Sequence, residues 1–298
     1  MNGQPLVPLS KLQTYASGLD HPEGICLAPN GDIYVGGEAG QIYRISSDRE
    51  VHEIADTGGS ILGLAADAES NIYAIDIAHK VVWRVSPDGS RREEFIRGLP
   101  DRSLHVPNWG AFDADGNYYL TDSGDWGERN GIIWIIRPGG RPDIWTEEPV
   151  DFPNGCAMSA DGSRLYVVES IPGAIIEIPI NDDGSAGPRR LVHELGLPVP
   201  DGIAVTDDGS LVVSCYRPDT IYVWHPDDDL RVLAEDPRGT VLAAPTNIAF
   251  TGPDYSTIIV PNLGRRHLTS FDTDLHGVSL FYPSSDTLGL PATVGGAA

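Results

Sequence analysis

The sequence predicts an all-β fold: a six-bladed β-propeller with four antiparallel strands per blade, its ring closed by an N-terminal strand. Three observations lead there: the composition, a six-fold internal repeat, and one strand-like segment left over ahead of the first repeat. Gly and Pro number 34 and 24 among 298 residues, and lysine occurs only at Lys11 and Lys80. Long helices draw on Ala, Leu, Glu and Lys and avoid Gly and Pro, so a helical bundle is excluded. The hydrophobic share of 41% suffices for a sizeable core, while 21% charged residues is too few for a coiled coil or a disordered acidic chain.

The repeat is the strongest signal. The phrase GICLAPNGDIYV from Gly24 reads as a strand, a turn on Asn30-Gly31 and a second strand. It returns as GLAADAESNIYA from Gly63, WGAFDADGNYYL from Trp109, GCAMSADGSRLYVV from Gly155 and GIAVTDDGSLVV from Gly202, with a sixth copy, NIAFTGPDYSTIIV, from Asn247. The residues just before these phrases are Glu23, Leu62, Asn108, Asn154, Asp201 and Thr246, spaced by 39, 46, 46, 47 and 45 residues.

Each copy continues with two more strand-like runs: QIYRI and VHEI, VVWRV and Glu94–Ile96, IIWII and Asp143–Trp145, AIIEI and Arg190–Val192, TIYVW and Arg231–Leu233. Turn residues separate them, as short antiparallel strands require. Six four-stranded units of this period make a six-bladed propeller. One propeller domain over residues 1–298 is expected, with blades beginning near 23, 62, 108, 154, 201 and 246. In the sixth copy Val278–Tyr282 reads as the third strand, and Leu12–Ala16 supplies the fourth from the N-terminus. Two stacked α/β domains would need helices, and the pattern has none.

The balance of 20 basic against 43 acidic residues, a net charge of −23, excludes the basic footprint that nucleic acid or an anionic membrane surface demands. Cys26, Cys156 and Cys215 are odd in number with no C-x-x-C pair, and each reads as a buried small hydrophobe. Met1–Gln13 lacks a basic start followed by an apolar run, and no stretch reaches 18 apolar residues. The expected protein is cytoplasmic, with no nucleic-acid or membrane partner and a small-molecule substrate.

The first strand of a propeller blade lines the central channel, so the residue before it stands at the channel mouth once per blade. Four of the six such residues carry oxygen: Glu23, Asn108, Asn154 and Asp201. Two carboxylates and two amides facing one axis repel and are poorly hydrated unless a divalent cation joins them. All-oxygen ligation suits a hard ion, Ca²⁺ first, with Mg²⁺, Mn²⁺, Fe²⁺ and Zn²⁺ as alternatives. The bland alternative is a set of turn-capping Asn and Asp residues.

The motifs HPEG (His21–Gly24), PN (Pro107-Asn108), PNG (Pro153–Gly155), PDG (Pro200–Gly202) and PTNIAFTGPD (Pro245–Asp254) resemble the regucalcin/gluconolactonase family, also called the senescence marker protein family. Diisopropylfluorophosphatases and paraoxonases are more distant relatives of that type. The resemblance covers roughly residues 15 to 283; each motif is weak alone, and their order and spacing carry it. It implies a six-bladed propeller with one catalytic divalent metal, and lactone hydrolysis. It gives the metal to Glu23, Asn154 and Asp201, with Asn108 as a fourth ligand or as a contact to substrate and to water on the metal. It also makes Asp201 the candidate general base, with the role of ligand alone as the alternative.

Blade three departs from the sugar-lactonase pattern R-x-N-D-G: here Val106 stands at the Arg position and Trp109 at the Asp position. Neither side chain carries a charge to hold a sugar acid, so an apolar, aromatic-lined pocket is expected, with Trp126 contributing from the loop after Asp122. His21 and His105 precede ring positions and are candidates for substrate contact or proton transfer. Tyr216, Arg217, Arg265 and His267 follow second strands near the mouth, and Asp76 and Asp122 read as turn caps. No G-x-S-x-G, P-loop, G-x-G-x-x-G or HExxH is present; His52-Glu53 and His193-Glu194 lack the second His. The leading expectation is a divalent-metal-dependent hydrolase of lactones or related esters. Phosphotriester hydrolysis or cyclisation on the same metal propeller, or a non-catalytic binding propeller, are the alternatives.

Overall fold

The computed structural model describes residues 4–196 and 198–291, and it is all-β. Six four-stranded antiparallel sheets form the blades of a propeller. Blade one comprises Ile25–Leu27, Ile33–Gly36, Gln41–Ile45 and Val51–Asp56; blade two Ile61–Ala66, Ile72–Asp76, Val81–Val85 and Arg92–Ile96. Blade three comprises Pro107–Phe112, Tyr118–Asp122, Gly131–Arg137 and Arg141–Val150; blade four Pro153–Met158, Arg164–Glu169, Ala174–Pro179 and Arg190–Glu194. Blade five comprises Val199–Val205, Leu211–Arg217, Thr220–Trp224 and Arg231–Glu235. Among the described residues no helix is long and apolar enough to cross a membrane.

Blade six takes Ala249–Thr251, Thr257–Pro261 and His267–Asp272 from the C-terminal half and Gln13–Ser17 from the N-terminus. The closing strand lies one residue further along than the expected Leu12–Ala16. It pairs Gln13 with Ser270 and Ser17 with His267, while Leu12 caps a short 3-10 turn at Leu9–Lys11. The third strand is His267–Asp272, which corrects the expectation of Val278–Tyr282. That apolar run is instead part of a strap beneath the channel. The Val278 N–H bonds the Val205 carbonyl of blade five, and the Tyr282 hydroxyl bonds the Leu27 carbonyl of blade one. Further on, Ala68 N–H bonds the Pro283 carbonyl and Gly139 N–H the Leu288 carbonyl, tying the strap to blades two and three. The run is only half covered: Val278, Phe281 and Tyr282 pack partly buried against the blade clusters and line the channel's lower end, while Leu280 is 53% exposed.

The core consists of six apolar clusters, each between two neighbouring blades. The pair three and four encloses Tyr119, Trp145, Met158 and Ile176, and the pair six and one encloses Leu19, Val35, Ile259 and Leu268. Face-to-face burial of sheets by alternating side chains is what keeps the blades upright around the axis. All three cysteines are buried free thiols, as expected.

Candidate metal centre at the channel mouth

The six ring residues are brought together by the closeness of the inner strands. A Cβ built on Gly24 would overlap the Leu62 carbonyl oxygen of the next blade. Cβ atoms on Gly63, Gly155 and Gly202 would lie 2.5–2.6 Å from the carbonyl oxygens of Asn108, Asp201 and Thr246. Thr121 Oγ1 bonds the Asn154 carbonyl at 2.8 Å, and Thr246 Oγ1 bonds the Glu23 carbonyl at 2.7 Å. The circuit Glu23, Leu62, Asn108, Asn154, Asp201, Thr246 is therefore closed, four links by backbone approach at a glycine and two by a threonine hydroxyl.

A local irregularity marks the ring position in four of the blades. In blades two to five the inner strand slips register against the second strand at the ring position: between Ile61 and Leu64, Pro107 and Gly110, Pro153 and Cys156, Pro200 and Gly202. A β-bulge leaves its extra residue unpaired in the ladder and bends the strand there. Carboxylates at the ends of second strands hold the segments that enter these bulges. Asp76 accepts from Ser60 N–H (3.2 Å), Asp122 from His105 and Val106 N–H (2.8 and 2.6 Å), and Glu169 from Asp151 N–H (2.9 Å). Asp76 and Asp122 are thus the caps they were expected to be.

The ring carboxylates resist ionisation. Burial, and secondarily the Glu38 carboxylate, pushes Glu23 up to about 8. Burial, and then the negative charge of Glu23, holds Asp201 well above the usual carboxylate range. Asp201 Oδ1 is buried with no hydrogen-bond partner among the described residues. Asn108 and Asn154, 6% and 8% exposed, donate their Nδ2 to Ser123 Oγ (3.1 Å) and Ser170 Oγ (3.2 Å), leaving each Oδ1 for the channel. Two mutually repelling carboxylates, one orphaned oxygen and two inward amide oxygens fit a hard divalent cation. Among the described residues no group of three or more His, Cys, Asp or Glu is placed to hold a metal, so an ion here would depend on the asparagine oxygens. Thr246, the sixth position, has its hydroxyl engaged by the Glu23 carbonyl, and Leu62 carries no donor.

The remaining candidates divide by position. Val106 is held at the mouth, its N–H on Asp122 and its carbonyl accepting from Ser123 N–H at 2.9 Å. Trp109 lies beyond Asn108: its side chain packs against the core of blades three and four and lines a cavity of ≈ 110 Å³ beneath the ring, together with Ile25, Leu64, Ile203 and Phe281. His21 stands at the mouth in a left-handed conformation (φ 39°), its Nδ1 3.1 Å from Asp20 and 3.3 Å from Glu38. His105 Nε2 is 3.0 Å from Asp125, Arg265 bonds the Gly239 carbonyl, and His267 Nε2 contacts the Val241 carbonyl at 2.9 Å.

Trp126 is 60% exposed at the tip of the loop joining the second and third strands of blade three. It meets Phe152 edge to face, centroids 4.8 Å apart. Phe152, two residues before Asn154, has φ 55°, and the loop is pinned by Asn130 on Asp125 and by the Arg129–Asp151 ion pair. Phe152, Ser123 and Ser170 escaped the sequence reading. For the serines a signal existed: an acid–Ser dipeptide, Asp122-Ser123 and Glu169-Ser170, ends the second strand of both asparagine blades.

Residues 22–262 match the family model described as SMP-30/Gluconolactonase/LRE-like region. A gluconolactonase of Zymomonas mobilis is 26% identical over 187 residues, 56% of this chain and 52% of that protein. A 6-deoxy-6-sulfogluconolactonase of Pseudomonas putida is 26% identical over 220 residues, 70% of this chain and 66% of that one. The matches thus span about half to two thirds of these relatives. A calcium-binding protein, regucalcin, from Agrobacterium tumefaciens shares the fold, with a TM-score of 0.77 at 14% identity over 95% of this chain and 99% of that one. With four-fifths of its length inside one family model and its blades arranged as in a solved relative, the chain belongs to the SMP-30/gluconolactonase/LRE-like family.

Proposed function

We propose that this chain is a divalent-metal-dependent hydrolase of lactones or related esters, with Glu23, Asn108, Asn154 and Asp201 holding the ion. The observation that carries this reading is the ring itself: a buried and a half-buried carboxylate, the second adding to burial in raising the proton affinity of the first, beside two asparagines whose Nδ2 groups are held by serines. Ca²⁺ is favoured by the all-oxygen donors, and the calcium-binding structural neighbour supports that choice, while the gluconolactonase relatives support lactone hydrolysis. When bound, such an ion polarises a carbonyl and stabilises the oxyanion formed on attack.

The chain's own residues supply the rest. Asp201 carries a buried, unpartnered Oδ1 at the ring, from which it takes the proton of the attacking water or, in the alternative role, serves as a ligand alone. Asn108, held from behind by Ser123, offers its Oδ1 to the ion or to the substrate. Val106 is alkyl where a charged group would grip a sugar acid, and the exposed Trp126, against Phe152 two residues before Asn154, supplies aromatic surface to an apolar substituent. Unpaired burial of sugar hydroxyls costs roughly 1–3 kcal/mol each, whereas apolar contact gains about 25 cal/mol per Å². The preferred substrate is therefore an alkyl- or aryl-substituted lactone.

Elemental analysis and calorimetric Ca²⁺ titration of the parent, Glu23→Gln and Asp201→Asn test the ion; each substitution should weaken binding at least about tenfold, as loss of a ligand charge does. Turnover of an aryl lactone, gluconolactone and an aryl phosphotriester, with and without chelator, tests the chemistry. The expected result is chelator-sensitive hydrolysis of the aryl lactone above the other two, abolished by Asp201→Ala and weakened by Trp126→Ala. Full activity without a divalent ion, or no lactone turnover with any, overturns the reading.

A further inference from the structure

We propose that Ser123 and Ser170 are positioning residues that lock Asn108 and Asn154 with their oxygens inward, and so set the affinity of the ring for a divalent cation. This inference rests on the reading of the ring as a metal site, and it assigns a function to two residues that neither touch the channel nor carry charge.

The argument is one of proton counting. A serine hydroxyl has a single proton to donate and two lone pairs to accept with. Ser123 Oγ lies 2.7 Å from the Pro153 carbonyl oxygen, and Ser170 Oγ lies 2.7 Å from the Pro200 carbonyl oxygen. A carbonyl can only accept, so each hydroxyl proton is engaged there. The remaining contacts, Asn108 Nδ2 to Ser123 Oγ and Asn154 Nδ2 to Ser170 Oγ, must then run from amide to hydroxyl. Rotating either amide by half a turn would set its oxygen against a hydroxyl with no proton left to give. Both serines are buried, at 0% and 2% exposure, so water does not relieve such a clash. The orientation that presents Oδ1 to the axis is thus imposed from behind, before any ion arrives.

The two serines also join the ring positions to one another. Asn108 donates to Ser123, which donates to the carbonyl preceding Asn154; Asn154 donates to Ser170, which donates to the carbonyl preceding Asp201. Hydroxyls continue the circuit: Ser214 Oγ accepts from Gly202 N–H and donates to the Thr246 carbonyl at 2.9 Å, and Thr246 Oγ1 donates to the Glu23 carbonyl. Removing one hydroxyl therefore frees an amide and loosens the peptide that carries the next ligand. Outer hydrogen-bond partners of this kind are commonly worth 10–100-fold in metal affinity.

The experiment is Ca²⁺ calorimetry, with Tb³⁺ luminescence as a second probe, on the full chain and on Ser123→Ala, Ser170→Ala, Ser123→Thr and Ser170→Thr. Each alanine variant should lose about 10–100-fold in affinity. The threonine variants, which keep the hydroxyl as Thr121 does two residues before Ser123, should recover most of it. In the ion-free protein the side-chain amide protons of Asn108 and Asn154 should appear as inequivalent, slowly exchanging pairs by NMR. Alanine variants that bind as tightly as the parent overturn the inference and leave the hydrolase reading standing. Lost affinity in a protein that turns over no lactone supports the inference and removes the hydrolase reading. A parent that binds no divalent ion overturns the inference together with the metal site. Should an alanine variant fail to fold, fast exchange of both parental amides would overturn the inference and slow exchange would support it.

Discussion

Gly24 shows how a single residue sets the dimensions of the site. Its α-carbon lies so close to the Leu62 carbonyl that a methyl group has no room, and the obstructing atoms are backbone, which cannot rotate aside. Gly63, Gly155 and Gly202 repeat the arrangement around the mouth. These glycines let the inner strands approach backbone to backbone, whereas ordinary side chains would force the blades apart. Gly24→Ala should cost about 1–3 kcal/mol of overpacking, or roughly 2–4 °C of Tm per kcal/mol in a protein of this size, together with cation affinity. An unchanged thermal melt would show that the inner strands are not in contact there.

At the scale of elements, the loops that deliver ring residues are held by carboxylates, and Asp236 is the clearest case. It follows the outer strand of blade five, and its side chain accepts from Thr240 N–H and Oγ1 (both 2.8 Å), Val241 N–H (2.7 Å) and Leu242 N–H (3.2 Å). Burial alone would raise its proton affinity, but these donors outweigh burial and hold the group at about 2. A folded value below the unfolded one means that the ionised form favours folding. The stabilisation is present above the ordinary value of 3.8 and is lost as pH falls through about 2. Asp236→Asn should therefore melt below the parent at pH 7, with the gap closing as pH falls through that window. A gap that does not vary with pH would mean that the charge contributes nothing. The same loop leads to Thr246, which holds the Glu23 carbonyl, so the variant should also weaken cation binding.

At the scale of the whole molecule, the ring is fastened from both ends of the chain. Gln13–Ser17 covers the edge of blade six, and Leu12 and Ala16 enter its neighbouring cores. The strap after Asp272 bonds blades five, one, two and three from below, aided by buried Arg84, whose guanidinium reaches Ser285 Oγ and the Pro291 carbonyl. Deleting residues 1–17 exposes the strand His267–Asp272 as an unpaired edge and opens two clusters. The expected outcome is loss of the cooperative melt and aggregation, read by calorimetry and light scattering. A truncated chain that melts within about two degrees of the parent would refute closure, since losing one strand and the core residues Val7, Leu12 and Ala16 should cost far more.

Blade number, the four oxygen-bearing ring positions and the N-terminal closure were legible in the sequence, because each blade repeats one local pattern and a repeat multiplies a weak signal six times. Asp122 and Asp76 were readable as caps for the same reason. The sequence alone could not assign the neighbour of an isolated segment: Val278–Tyr282 has the pattern of a strand, and only the folded ring reveals a channel end for it to cover. Nor could it separate Val106, held at the mouth, from Trp109, turned into the cavity beneath, because a bulge at Asn108 shifts the alternation that would predict their faces. The orientation of the two asparagine amides lay furthest from view. It depends on serines 15 and 16 residues away and on carbonyls of the next blade, partners that only tertiary structure assembles.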